Sequence, residues 1–171
     1  DSTHMSGIEQ ITQAVFNCAK TKTGVLIVIE QQAELSHYGL SGEIIDAEIN
    51  SRLIENIFFK NTPLHDGAMI ISKDRIMAAG CILPVSNRTD IPKHLGLRHR
   101  AGLGMTEKTD ALVVIVSEET KADSEKETST VSTSVGVNVG KMARKIAAAK
   151  TKEQLRMVIT EIRNDMQVVK N

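Results

Sequence analysis

Apolar residues along the chain fall into short blocks whose spacing changes from one block to the next. Ile8, Ile11, Val15, Cys18 and Ala19 recur at steps of three and four, the period of an amphipathic helix, and Gly24 marks its end. Val25–Ile29 is an unbroken aliphatic run and reads as a buried strand. A loop over Leu40–Gly42 follows. Ile49, Leu53, Ile54, Ile57 and Phe58 then predict a second helix that ends before Pro63. Met69–Ile71 and Ile76–Ala79 flank Ser72–Arg75 as a hairpin, and Ile82–Leu83 carry the apolar character on to Pro84. Residues 86–97 show no period and read as loop with a short helical turn. Ala101–Lys108 predicts a helix beginning just after a basic triplet, and Ala111–Val116 is the clearest strand in the chain.

After Thr120 the pattern changes. Residues 121–135 alternate charges, then Ser and Thr, with no core-forming pattern, and are expected to form a linker or mobile loop. Leu155, Val158, Ile159, Ile162, Met166 and Val169 form a stripe at helical spacing, so 136–171 is expected to be a helical segment packed on the domain or on a neighbouring chain. Asp1–Met5 has the composition of an expression-tag remnant and is left out of fold reasoning. The domain core is therefore expected over 6–120, with room for a native extension upstream, including a membrane anchor. No internal repeat is present.

Composition narrows the function. The 171 residues carry 21 basic and 21 acidic side chains, so no overall positive charge favours nucleic acid as a partner. With no Trp, one Tyr and three Phe, stacking platforms for single strands are not expected. The longest aliphatic run, Val25–Ile29, is far too short to span a bilayer. Cys18 and Cys81 lie inside apolar stretches without metal-ligand spacing and read as buried thiols in a cytoplasmic, reducing setting.

Candidate chemistry sits in three segments at the ends of apolar blocks. Leu64–Ala68 places an imidazole and a carboxylate before Gly67, which suits metal-assisted chemistry, although a turn stabilised by Asp66 explains the same residues. Gly96–Arg100 brackets His99 with Arg98 and Arg100 at a helix start, where forked donors and the helix dipole favour phosphate oxygens; a solvated basic turn is the plain alternative. Ser117–Thr120 follows the clearest strand and offers hydroxyls and carboxylates to phosphate and cation. Together they point to magnesium- or manganese-dependent handling of a nucleoside triphosphate. No P-loop, dinucleotide fingerprint or nucleophile elbow is present.

Asn61–Ile71, Ala79–Pro84, Arg98–Arg100 and Thr109–Thr120, taken in this order, resemble the diadenylate cyclase domain family over roughly residues 8 to 120. The resemblance implies a mixed α/β fold, a central mixed sheet flanked by helices, here with a C-terminal helical tail. It implies condensation of two ATP into cyclic di-AMP with loss of two pyrophosphates, in a homo-oligomer whose active sites face each other. Carried over by motif, Asp66 positions or deprotonates the ribose 3′-OH, and His65 with Asp66 holds Mn²⁺ or Mg²⁺. Gly67 and Ala68 let the nucleotide approach, and Leu83 bonds adenine through its backbone. Arg98, His99 and Arg100 grip phosphates, Arg100 across the dimer, with Arg98, Arg100 and Asp66 as the catalytic set. Ser117 and Glu118 line the phosphate and metal side.

Two departures stand out. Many members carry Thr before the basic triplet where this chain has Leu97, which leaves only a backbone N–H for phosphate and costs about 1 kcal/mol for one neutral hydrogen bond. The chain also runs into Lys121–Lys126 where relatives continue with Gly and a strand. An ATP- or cyclic-dinucleotide-binding sensor with little turnover is the alternative these departures keep open. A purely structural module would leave the motifs unexplained. His37, His94 and Tyr38 are expected to be ordinary surface or loop residues.

Overall fold

The computed structural model describes residues 6–87, 89, 96–116 and 133–136. Helix α1 (Gly7–Lys20) opens with a capping box in which Ser6 Oγ accepts from the Glu9 amide and the Glu9 carboxylate accepts from the Ser6 amide, both at 3.3 Å. Strand β1 (Val25–Ile29) follows, then a single helical turn α2 (Ser36–Gly39) and strand β2 (Glu43–Glu48). Helix α3 (Ser51–Phe58) starts at Asn50, whose side-chain oxygen accepts from the Leu53 amide at 3.1 Å. Strands β3 (Ala68–Ser72) and β4 (Arg75–Cys81) form the expected hairpin. Its tip residues Lys73 and Asp74 both have positive φ, 52° and 59°, as a two-residue type I′ turn requires. Helix α4 (Leu97–Lys108), strand β5 (Leu112–Val116) and strand β6 (Thr133–Gly136) complete the order.

The strands form one mixed six-stranded sheet in the order β2-β4-β3-β1-β5-β6. Among the described strands only β1 and β3 pair in parallel, Ile27 opposite Met69; the other pairs are antiparallel. Successive side chains of a strand point to opposite faces, and both faces of the central strands are buried. Val25, Ile27 and Ile29 of β1 and Leu112, Val114 and Val116 of β5 pack in a cluster with Ile11, Val15, Ile54 and Phe58 of α1 and α3. Leu26, Val28, Val113 and Ile115 pack on the other face with Leu35, Ala101 and Met105. This double burial explains why β1 and β5 are continuous aliphatic runs in the sequence.

Four elements depart from the sequence expectation. Helix α4 begins at Leu97, so the basic triplet lies inside its first turn, not before it. The apolar period starts only at Ala101 because Leu97 is 72% exposed and the residues between are Arg98, His99 and Arg100. Strand β2, whose apolar residues are Ile44, Ile45 and Ala47, and the turn α2 show no regular apolar period. β2 is an edge strand with a bulge between Ile44 and Ala47, where Asp46 adopts φ +48° and interrupts the alternation. Finally, the linker expected over 121–135 ends in strand: Thr133–Gly136 pair antiparallel with β5, Thr133 opposite Val116. Gly136, expected to open the helical segment over 136–171, is the last residue of that strand, and the rest of the linker, residues 137–171, His94, Ser117 and Glu118 lie outside the described residues. Among the described residues no helix is long and apolar enough to cross a membrane.

Candidate nucleotide site

The chain enters the site from α3. Thr62 anchors the turn after that helix: its hydroxyl donates to the Ile57 and Phe59 carbonyls at 2.9 and 3.0 Å. The Thr62 carbonyl in turn accepts from the His65 amide at 3.2 Å and lies 2.7 Å from His65 Nδ1. A carbonyl oxygen only accepts, so Nδ1 carries the hydrogen and Nε2 is the ring nitrogen left to face Asp66. That Nε2 lies 3.3 Å from Asp66 Oδ1, and the Asp66 side chain is 84% exposed. An imidazole nitrogen and a carboxylate oxygen this close, with the ring oriented from behind, are two of the ligands a divalent cation would take. Among the described residues no group of three or more His, Cys, Asp or Glu is placed to hold an ion. A cation here would therefore need further oxygens, from substrate phosphates or water.

Gly67 follows at φ +111°, where a side chain is strained. A methyl there would also sit 2.7 Å from the Gly80 carbonyl carbon and 2.9 Å from the Cys81 carbonyl oxygen. The glycine is thus required by the backbone of β4, quite apart from any nucleotide. Gly80 has φ +65°, and β4 ends one residue later. Beyond it, the Ile82 amide donates to Ser41 Oγ at 2.9 Å, holding the chain as it leaves the sheet.

The segment after β4 runs along α4. The Ser86 amide donates to the Arg100 carbonyl at 3.0 Å, and the buried Ser86 hydroxyl donates to Glu107 at 2.7 Å. Gly104 makes the approach possible, since a Cβ there would overlap the Pro84 carbonyl oxygen. Helix α4 thereby presents its N-terminal turn, which no side chain caps at Gly96, beside the ends of β3 and β4.

Between these parts lies a cavity of about 580 Å³. Asp66 and Gly67 line one side, Leu97, Arg98 and His99 line another, and Leu83 stands on the segment that joins them. These six sequence candidates are brought together. His65 is next to them and paired with Asp66. Besides His65, two described candidates are not on the wall. Ala68 is fully buried in the core, paired with Cys81 across the hairpin, so its smallness serves sheet packing. Arg100 is half-buried outside the lining, and its carbonyl takes the Ser86 bond. Leu26, Gly80, Cys81, Ile82 and Val85 also line the cavity and were not anticipated. Gly80, Cys81 and Ile82 lie in the Ala79–Pro84 segment that carries the resemblance, and Gly80 is also a glycine inside a strand pattern.

The cavity wall is largely apolar, as a base-binding cleft requires. Burial pushes the Cys81 thiol up to about 11, against a smaller opposing effect of its hydrogen bond with the Gly42 backbone. Burial and the nearby Glu55 charge push Cys18 to about 12. Both remain neutral thiols near pH 7, so neither supplies a nucleophile.

Residues 12–124 match the family described as DisA bacterial checkpoint controller nucleotide-binding, abbreviated DAC. The chain is 48% identical over 113 residues to the cyclic di-AMP synthase CdaA of Bacillus subtilis, a match covering 66% of this chain and 41% of that protein's length. The fold is similar to that of DacA from Staphylococcus aureus, studied as a double mutant, with a TM-score of 0.77 at 36% identity over 92% of this chain and 95% of that one. It is also similar to a Bacillus cereus protein described as a hypothetical membrane spanning protein, with a TM-score of 0.66 at 38% identity over 75% of this chain and 58% of that one. The mixed sheet, the glycine-gated turn at Asp66 and the basic first turn of α4 thus occur in a chain that belongs to the DAC nucleotide-binding family.

Proposed function

We propose that this domain is a diadenylate cyclase that condenses two ATP into cyclic di-AMP and releases two pyrophosphates. The observation that carries the proposal is the single cavity in which the Asp66–Gly67 turn, the Leu83 segment and the Leu97–His99 helix start converge. The curated relative named above as a cyclic di-AMP synthase supports the same activity.

In this reading adenine enters the apolar part of the cavity and bonds the backbone at Leu83. Arg98 and His99, with the α4 dipole, neutralise the triphosphate, and Leu97 contributes its backbone N–H alone. Arg100 acts on phosphate from outside the wall, toward a second chain. The exposed Asp66 carboxylate orients the ribose 3′-OH and accepts its proton as that oxygen attacks the α-phosphorus of the other ATP. The bond from α-phosphorus to the bridging oxygen breaks, and pyrophosphate leaves. The same step, with the roles exchanged, closes the ring. Because each chain holds one nucleotide, two cavities must face each other, and the reacting species is a homo-oligomer. His65 and Asp66 would hold Mn²⁺ or Mg²⁺, which when bound neutralises phosphate charge and lowers the pKa of a coordinated hydroxyl. Ser117 and Glu118, just past β5, are assigned to the phosphate side on the strength of the resemblance. The Bacillus cereus relative's description favours a membrane-anchored full-length protein.

The test is incubation of the purified chain with ATP and Mn²⁺ or Mg²⁺, followed by mass spectrometry and a pyrophosphate assay. Cyclic di-AMP with twice its amount of pyrophosphate is expected. A second reading, a nucleotide sensor, rests on Leu97, an exposed leucine at the start of α4 where the resemblance leads one to expect Thr in many members. Saturable ATP binding with no pyrophosphate release would establish the sensor in place of the enzyme.

A further inference from the structure

Gly24 lies outside the cavity lining, on the turn that leads into β1, and is buried. Its conformation gives no reason for a glycine: unlike Gly67 and Gly80, it does not have a positive φ. Its surroundings do. The three atoms nearest to a Cβ at this position all come from the head of one side chain: Arg98 Cζ and Nη1 at 2.5 Å and Nη2 at 2.9 Å. The Arg98 guanidinium therefore lies against the bare Cα of Gly24, in the space that any larger residue would fill. Two residues onward, Leu26 forms part of the cavity wall, so this contact sits where β1 meets the first turn of α4.

We infer that Gly24 is a positioning residue for the reaction: its missing side chain is the seat that sets where the Arg98 guanidinium stands in the cavity. The inference rests on the cyclase reading above, in which Arg98 grips a phosphate. A long arginine stem has many rotamers, and a planar fork binds phosphate well only when its plane and depth are fixed. On one flank the backbone of α4 carries the stem; on the other, Gly24 receives the head. Adding a methyl group leaves the backbone conformation allowed and displaces the flexible end of Arg98, which then meets the nucleotide from another position.

The test is a double-mutant cycle of Gly24→Ala and Arg98→Ala, read in two ways. With ATP and Mn²⁺, G24A is expected to retain the fold and to lose roughly tenfold to 100-fold in kcat/KM or ATP affinity, the scale of a displacement of about 1 Å in a reacting complex. In the R98A background the same methyl should cost nothing further, because the atoms it displaces are gone. Equal losses from G24A in both backgrounds, or no loss in the wild-type background, would overturn the positioning role. Thermal unfolding without nucleotide supplies the second reading. If G24A alone lowers the melting temperature, adding R98A should relieve the decrease, and persistence of the decrease would overturn the contact itself. Wild-type protein that neither binds ATP nor makes product would instead refute the cyclase reading, while the unfolding cycle still decides the contact.

Discussion

The packing of α4 against residues 84–86 sets two substitutions of the same kind against each other. Gly104→Ala and Gly102→Ala each replace a glycine inside α4, and each should gain about 1 kcal/mol of helix propensity. At Gly104 the new methyl overlaps the Pro84 carbonyl oxygen, and also lies 2.9 Å from the Pro84 carbonyl carbon and 3.2 Å from the Ser86 amide nitrogen. These are backbone atoms, which cannot swing aside. Overpacking costs about 1–3 kcal/mol. Moving the segment also forfeits the Ser86 bonds to Arg100 and Glu107, each worth about 1 kcal/mol. The propensity gain is outweighed, and a net destabilisation of about 2–4 kcal/mol follows. For a chain of this size that lowers the melting temperature by roughly 5–15 °C. At Gly102 the nearest atom is Ile115 Cδ1 at 2.6 Å, the mobile end of a side chain, with Val113 Cγ1 next at 3.1 Å. There the cost roughly cancels the gain, and the change should stay within about 1 kcal/mol. Thermal and urea unfolding of both variants, followed by circular dichroism, checks the pair. G104A as stable as wild type, or G102A the more damaged of the two, would refute the packing argument.

Gly67→Ala combines a φ of +111° with contact against the β4 backbone; it should cost more than about 2 kcal/mol in urea unfolding and abolish ATP binding in calorimetry. Asp66→Asn should leave the melting temperature and ATP binding nearly unchanged, given the exposed side chain, while removing detectable cyclic di-AMP from the product spectrum. Alkaline stability carries the mark of Cys18, whose thiol stays protonated in the folded chain up to about pH 12 against an ordinary value of 9.0. Above pH 9 the unfolded chain releases this proton first, so the contribution is complete below pH 9 and fades as pH rises toward 12. Melting curves across that range should fall more steeply for wild type than for Cys18→Ala, and parallel curves would contradict the burial argument.

What the sequence revealed follows the physics of each element. β1, β5 and the β3–β4 hairpin were legible because strands buried on both faces must be aliphatic throughout. α1 and α3 were legible because one face of each meets the sheet. β2 was hidden because an exposed edge strand needs little apolar material and its bulge at Asp46 breaks the period. The start of α4 was placed too late because its first turn faces the cavity, where function favours charge over a core pattern. Thr133–Gly136 was read as linker because backbone pairing with β5 leaves no hydrophobic signature in so short a segment. In the site, Asp66, Gly67 and the basic triplet could be named from motif. The reasons for Gly24 and Gly104 could not, since each is a glycine on account of a residue distant in sequence.

The central claim is that two copies of this cavity, each holding one ATP, face each other to make cyclic di-AMP. The most direct test is the initial rate of cyclic di-AMP formation, by mass spectrometry, as protein concentration is varied across the range in which the chain associates. Specific activity that rises with concentration toward a plateau, in step with dimer formation in sedimentation, is the predicted result. Specific activity independent of concentration for a species that sediments as a monomer, or no product despite saturable ATP binding, would contradict it.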